Sequence, residues 1–145
     1  MRVIVQRSLK SNVVVDGKIV GEINNGLVLL VGFTYGDSVA TIEKMVNKII
    51  KLRIFDDENG VMNKSVLDAQ GAILSISQFT LYADTKKGNR PSYVKALNGA
   101  EATNLYDLFN EKLREYTKVE TGVFGADMTV SITNDGPVTI ALECD

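Results

Sequence analysis

Two short segments hold the side chains of this chain best suited to act on a substrate. The first, Ser77-Gln78-Phe79-Thr80-Leu81, places two hydroxyls and a carboxamide within five residues and carries no formal charge. The second is Asn134-Asp135-Gly136-Pro137-Val138-Thr139. The chain has 145 residues and no histidine, so Ser-His-Asp and Cys-His catalysis are excluded. Its one cysteine, Cys144, can supply neither an intrachain disulfide nor the thiolates of a structural zinc site. The acidic run Asp56-Asp57-Glu58-Asn59-Gly60 lacks the alternating ligands and distal Glu of a calcium loop and reads as a hairpin turn. Gly32-Phe33-Thr34-Tyr35-Gly36 lacks the Lys-Ser/Thr ending of a phosphate loop. No metal and no cofactor is expected. What remains is the chemistry of hydroxyls, amides and main-chain dipoles. Each segment also has a plain reading: a strand with one wet face for the first, a hairpin turn for the second. Pro137 cannot donate to a ladder, so it belongs at a turn or a sheet edge.

The elements that must position these segments follow from periodicity. β-Branched residues at Val3, Val5 and 13–15, the Asp16-Gly17 hairpin signal and residues 18–23 predict strands. Asn24-Asn25-Gly26 predicts a turn, and residues 26–33, apolar without alternation, a strand buried on both faces. Asp37 or Ser38 can cap a helix carrying Val39, Ile42, Met45, Val46, Ile49 and Ile50 at helical spacing. Residues 72–79 read as a central strand, 84–92 as a surface loop, and 101–116 as a second helix with Leu105, Leu108, Phe109 and Leu113 on one stripe. Strands are expected at 119–124, 128–133 and 138–142. The expected fold is one mixed α/β domain over residues 1–145, with curved, barrel-like sheets covered on one side by two main helices.

Composition narrows the setting. Apolar residues make up 45% and charged residues 23%, as in globular domains, and the net charge of -2 argues against non-specific wrapping of nucleic acid. Neither a signal core nor a membrane span is expected, and with one cysteine the reading is cytoplasmic.

Taken together, the two polar segments resemble the paired motifs of the D-aminoacyl-tRNA deacylase (D-tyrosyl-tRNA deacylase) family. The resemblance spans the chain through Met1-Arg2-Val3-Ile4-Val5-Gln6-Arg7, Val15-Asp16-Gly17, Gly88-Asn89-Arg90-Pro91-Ser92-Tyr93 and Gly122-Val123-Phe124-Gly125-Ala126-Asp127-Met128. It implies hydrolysis of the ester joining a D-amino acid, or mischarged glycine, to the 3′ end of tRNA. It implies a homodimer with sites at the subunit interface and no membrane partner. Ser77, Gln78, Phe79 and Thr80 would be catalytic. Gly136, Pro137, Arg7, Asn134, Val138, Thr139 and Met128 would bind substrate, with a cis Gly136-Pro137 pair entering the other subunit's site. There its carbonyls would receive the α-ammonium and its main chain would turn away an L side chain. Arg7 would hold this motif. The first motif matches the D-specific branch. Tyr93 replaces the more usual Phe, and residues 96–100 lack a proline; both positions are expected beside the site.

Two routes to hydrolysis are open. Thr80 could be a covalent nucleophile, although no base is evident beside it. Alternatively, the terminal 2′-hydroxyl of the RNA assists while main-chain N–H groups near Phe79 and Thr80 hold the oxyanion. For tRNA binding, Lys86, Lys87, Arg90 and Lys95 cluster after the first motif, and Lys48, Lys51 and Arg53 form a second group. Both groups could equally be solvated surface. The competing classes are a non-catalytic tRNA- or nucleotide-binding dimer and a structural dimer without ligand.

Overall fold

The two helices and eight of the ten strands form in the order the periodicity predicts, two short strands flank the acidic turn in addition, and a computed structural model describes residues 1–145. Strands β1 (Arg2–Ser8), β2 (Ser11–Val15), β3 (Lys18–Ile23) and β4 (Gly26–Gly32) come first. Asp16 and Gly17 join β2 to β3 with φ of 50° and 76°, the paired positive values of a tight hairpin. Helix α1 (Val39–Lys51) starts at Ser38, which caps Thr41 reciprocally and buries Ile42, Met45, Val46, Ile49 and Ile50. Asp37 pins the approach to α1: its buried carboxylate receives the Met1 amino group at 2.7 Å and the Thr34 N–H at 2.8 Å.

The acidic run is the turn between β5 (Phe55–Asp56) and β6 (Met62–Lys64). There Asp57 accepts the N–H groups of Asn59 and Val61, which lower its carboxyl pKa. Strand β7 (Ala72–Ser77) leads to a 3₁₀ turn at Phe79–Tyr82, and Asn98 caps helix α2 (Gly99–Arg114). Strands β8 (Val119–Thr121), β9 (Thr129–Ser131) and β10 (Asn134–Glu143) complete the chain.

The main sheet has the order β10-β1-β4-β7-β8, with β4, β7 and β8 parallel to one another. Val3, Val5, Leu27, Leu29, Val31 and Ile73 pack in one core with the apolar stripes of α1 and α2. Val28, Leu74 and Ile76 pack in another with Val13 and Ile23 of the small sheet β3-β2-β9. The layers are therefore helices, main sheet and small sheet, which is why β4 carries no alternation. No sheet closes into the expected barrel. The main sheet ends at β10 and β8, and covering layers bury both its faces without closure. No helix is long and apolar enough to cross a membrane.

Several boundaries differ from expectation for local reasons. The central strand stops at Ser77, because Gln78 leaves the extended region and the next four residues turn. The second helix runs 99–114 rather than 101–116, since Asn98 supplies the side-chain cap. The last strand begins at Asn134, so Gly136-Pro137 lies within an edge strand at a register shift opposite Gln6 and Ser8, rather than in a turn. An edge tolerates the missing N–H of Pro137.

The close approach of β4 to β7 depends on Gly26, whose φ is 138°. A Cβ there would overlap the Ala72 carbonyl and stand 2.6 Å from the Ala72 nitrogen. Gly26→Ala is expected to destabilise the protein by about 3 kcal/mol. The melting midpoint should fall by roughly 10 °C, which a calorimetric scan would measure.

Candidate functional site

The first motif sits at the C-terminal end of β7, where parallel strands commonly present ligand groups. The Gln78 N–H donates to the Val31 carbonyl at 2.7 Å, which continues the β4–β7 ladder one residue past the strand. A Cβ on Gly32 would lie 3.0 Å from the Gln78 carbonyl oxygen, so glycine lets the two strand ends touch. Beside them opens a cavity of about 540 Å³. Ser77, Gln78 and Phe79 form part of its wall, Met128 another part, and Gly99 marks the start of α2. Thr80 does not line it; its hydroxyl accepts the Gln78 side-chain amide. Among the lining side chains only Tyr93 and Asp127 are ionisable. Phe79 is 56% exposed and meets the Tyr93 ring edge-on at 5.0 Å, forming an aromatic pair at the cavity wall.

Sequence reasoning set Tyr93 and residues 96–100 beside the site, but Tyr93, Ala96, Leu97 and Gly99 are on the cavity wall itself. It also missed Phe124 and Asp127 as individual wall residues. The signal was the matched stretch 122–128, which carried no periodic or charge pattern of its own.

The second motif lies elsewhere. Gly136 and Pro137 are exposed, joined by a cis peptide bond, and Gly136 has φ of 119°. Asn134 donates to the Thr139 hydroxyl at 2.8 Å, and Gln6 donates to the same hydroxyl at 3.2 Å. Val138 packs against the helix-side core. Arg7, only 11% exposed, donates to the Ile54 carbonyl at 2.8 Å and pairs with Asp135 at 3.1 Å and Asp56 at 3.5 Å. It ties the residue before Gly136 to the β5–β6 hairpin. None of Arg7, Asn134, Gly136, Pro137, Val138 and Thr139 lines the cavity. Register explains the separation. Thr139 and Asn134 stand beside Gln6 and Ser8, which pair with Val28 and Gly26 at the start of β4, whereas the cavity adjoins its end. Leu27 and Gly32 are five residue steps apart along the strand, about 16 Å.

The loop after the first motif closes on itself through mutual Asp84 and Ser92 main-chain hydrogen bonds of 2.8 and 2.9 Å. Lys86, Lys87 and Arg90 project from it exposed, and none is in an ion pair. Lys95 instead pairs with Asp84 at 3.5 Å. The Asp84 carboxyl is held below its usual pKa, chiefly by the Lys86 N–H.

Tyr82 anchors the 3₁₀ turn from beneath, with the Arg2 guanidinium 4.5 Å from its ring centroid. Burial, and then the Asp37 carboxylate, push the Tyr82 hydroxyl up to about 12. A raised folded-state pKa keeps more protons on the native state, so this stabilisation is present below about pH 10 and is lost toward 12. Chemical-denaturation stability is therefore expected to fall between pH 10 and 12, and to fall less steeply in Tyr82→Phe.

The D-Tyr-tRNA(Tyr) deacylase family matches residues 4–143 of this chain. A solved structure described as c-Myc DNA Unwinding Element Binding Protein aligns at a TM-score of 0.94 and 42% identity, covering 99% of this chain and 98% of that one. Another, described as a probable eukaryotic D-amino acid tRNA deacylase, aligns at a TM-score of 0.83 over 97% of both chains. At 18% identity that second likeness is one of fold.

Proposed function

This chain belongs to the D-Tyr-tRNA(Tyr) deacylase family, and on that premise we propose that it hydrolyses the ester of D-aminoacyl-tRNA, and of glycine mischarged on tRNA, while leaving L-aminoacyl-tRNA intact. The observation that carries this reading is the placement of Ser77, Gln78 and Phe79 on the wall of a 540 Å³ cavity. The aromatic pair Phe79–Tyr93 offers a face for the terminal adenine, a contact worth about 1–3 kcal/mol per stacked base. The N–H groups of Phe79 and Thr80 open the 3₁₀ turn, where leading N–H groups lack partners within the turn, and would receive the developing oxyanion.

The Thr80 hydroxyl is engaged by the Gln78 amide, which is no base, so activation by the substrate's own 2′-hydroxyl is the favoured route. Thr80→Ala and Asp127→Asn are both expected to retain substantial turnover. A tRNA ending in 2′-deoxyadenosine and charged at its 3′-hydroxyl should be cleaved far more slowly. Normal turnover on it would exclude the 2′-hydroxyl.

Chiral rejection requires the second motif, which lies far from the cavity in its own chain. The reading is therefore a homodimer in which exposed Gly136-Pro137 of one subunit completes the site of the other. Arg7, through Asp135, positions it. Charged Lys86, Lys87 and Arg90 would meet the RNA backbone near its 3′ end, and the setting is the cytoplasm, where charged tRNA is made.

Parallel assays on D-Tyr-tRNA, Gly-tRNA and L-Tyr-tRNA should show release from the first two only. No release from D-Tyr-tRNA would leave a non-catalytic tRNA-binding dimer as the reading. Mixed dimers test the shared site. Gly136→Ala puts a Cβ 2.8 Å from Val138 Cγ2 and should inactivate alone, as should Gln78→Ala. Random mixing of these two inactive chains should restore about a quarter of wild-type activity, because half the dimers carry one intact composite site. Sites built within one chain would give no rescue.

A further inference from the structure

At the end of α1 remote from the cavity, a groove of about 250 Å³ is lined by Lys44, Asn47, Lys48, Lys51, Leu52 and Arg53. Four of these six residues are cationic and none is acidic. The concentration is unusual in a chain of net charge -2. None of the four pairs with an Asp or Glu side chain. Glu43, the neighbouring carboxylate on the helix, is engaged by Lys112 at 3.2 Å. Asp56, close in sequence, faces Arg7. Lys44 reaches the main-chain oxygen of Asp145 at 3.2 Å, and Arg53 is held by the main-chain and side-chain oxygens of Asn63. Like charges at helical spacing repel, so the fold gains nothing from this stripe beyond favourable charge at the helix C-terminus.

We propose that this groove is a second phosphate-binding site, which holds the backbone of the tRNA body at a distance from the aminoacyl end. It rests on the tRNA substrate proposed above. Two dimensions favour an RNA strand. Lys44 and Lys51 are seven residues apart on one helix, about 10 Å along its axis, so the stripe is long enough to meet more than one phosphate of a strand. Along α1 the groove runs from Lys44, about 8 Å past the helix start that follows β4, to Lys51, about 18 Å past it, so it extends away from the end of the helix nearest the cavity. The cavity would thus read the ester and its adenosine, while the groove reads only charge.

The test uses Lys44→Gln/Lys48→Gln/Lys51→Gln, leaving Arg53 on the β5–β6 hairpin. Binding of uncharged tRNA is measured across a salt series for wild type and variant. The expected result is about tenfold weaker binding near 0.1 M salt, with the slope of log K against log salt reduced by about one for each phosphate that is no longer neutralised. Unchanged affinity and slope would overturn the groove. Turnover is followed on D-Tyr-tRNA and on D-tyrosyl-adenosine, which has no RNA body. A raised KM on the tRNA with unchanged turnover of the small ester supports the groove, whereas equal loss on both would overturn it. Failure of wild type to cleave either substrate would remove the proposed activity, and the binding series would still decide the groove.

Discussion

Parallel pairing of β4 with β7 is the constraint on which the rest of the structure depends. Both strands are buried on both faces, so each is largely apolar, buried Ser75 of β7 excepted, and each brings its C-terminal end to the same edge of the sheet. Glycines set the spacing at both ends: Gly26 lets β4 meet Ala72, and Gly32 lets it meet Gln78. The ladder then carries one residue beyond the strand, through the bond from Gln78 to Val31, and releases the chain into the 3₁₀ turn. The cavity lies where the sheet ends and the loops before α2 and β9 close over it. Helices on one face and the small sheet on the other are what hold this central pair out of water.

A site without histidine has to work through position and dipoles. Here its wall is mostly apolar, with Ser77 and Gln78 together at one side. Such a wall lends itself to an ester that is already activated, because little proton transfer has to be supplied by the protein. On the proposed reading the same economy would apply to discrimination: a main-chain surface rejects by shape, and its action does not depend on protonation.

Arg7 fixes the second motif. It is nearly buried, and three partners from two segments converge on its guanidinium: Ile54 and Asp56 around β5, and Asp135 beside Gly136. The Arg7–Asp135 pair fixes the residue before Gly136 on the strand edge, while Gly136 and Pro137 themselves stay exposed; on the proposed reading that is the surface offered to a second subunit.

Most of the fold was legible along the chain. The absence of alternation in 26–33 announced a strand covered on both faces, Ser38 announced a helix, and Asp16-Gly17 announced a hairpin, because each reports a local backbone requirement. Both polar segments stood out from the folding pattern, but each had a plain reading as a wet strand face or a turn, and only the family resemblance marked them as chemistry. Other features depended on register. Whether the sheets close, whether Pro137 turns or lies on an edge, and that Tyr93 and Asp127 line the cavity are set by how distant segments pair. The sequence by itself determined which residues were available and which elements would form, because propensity and periodicity act over a few residues. Only the tertiary structure decided that the two motifs stand at opposite ends of one sheet, because strand pairing places residues by partner and not by position in the chain.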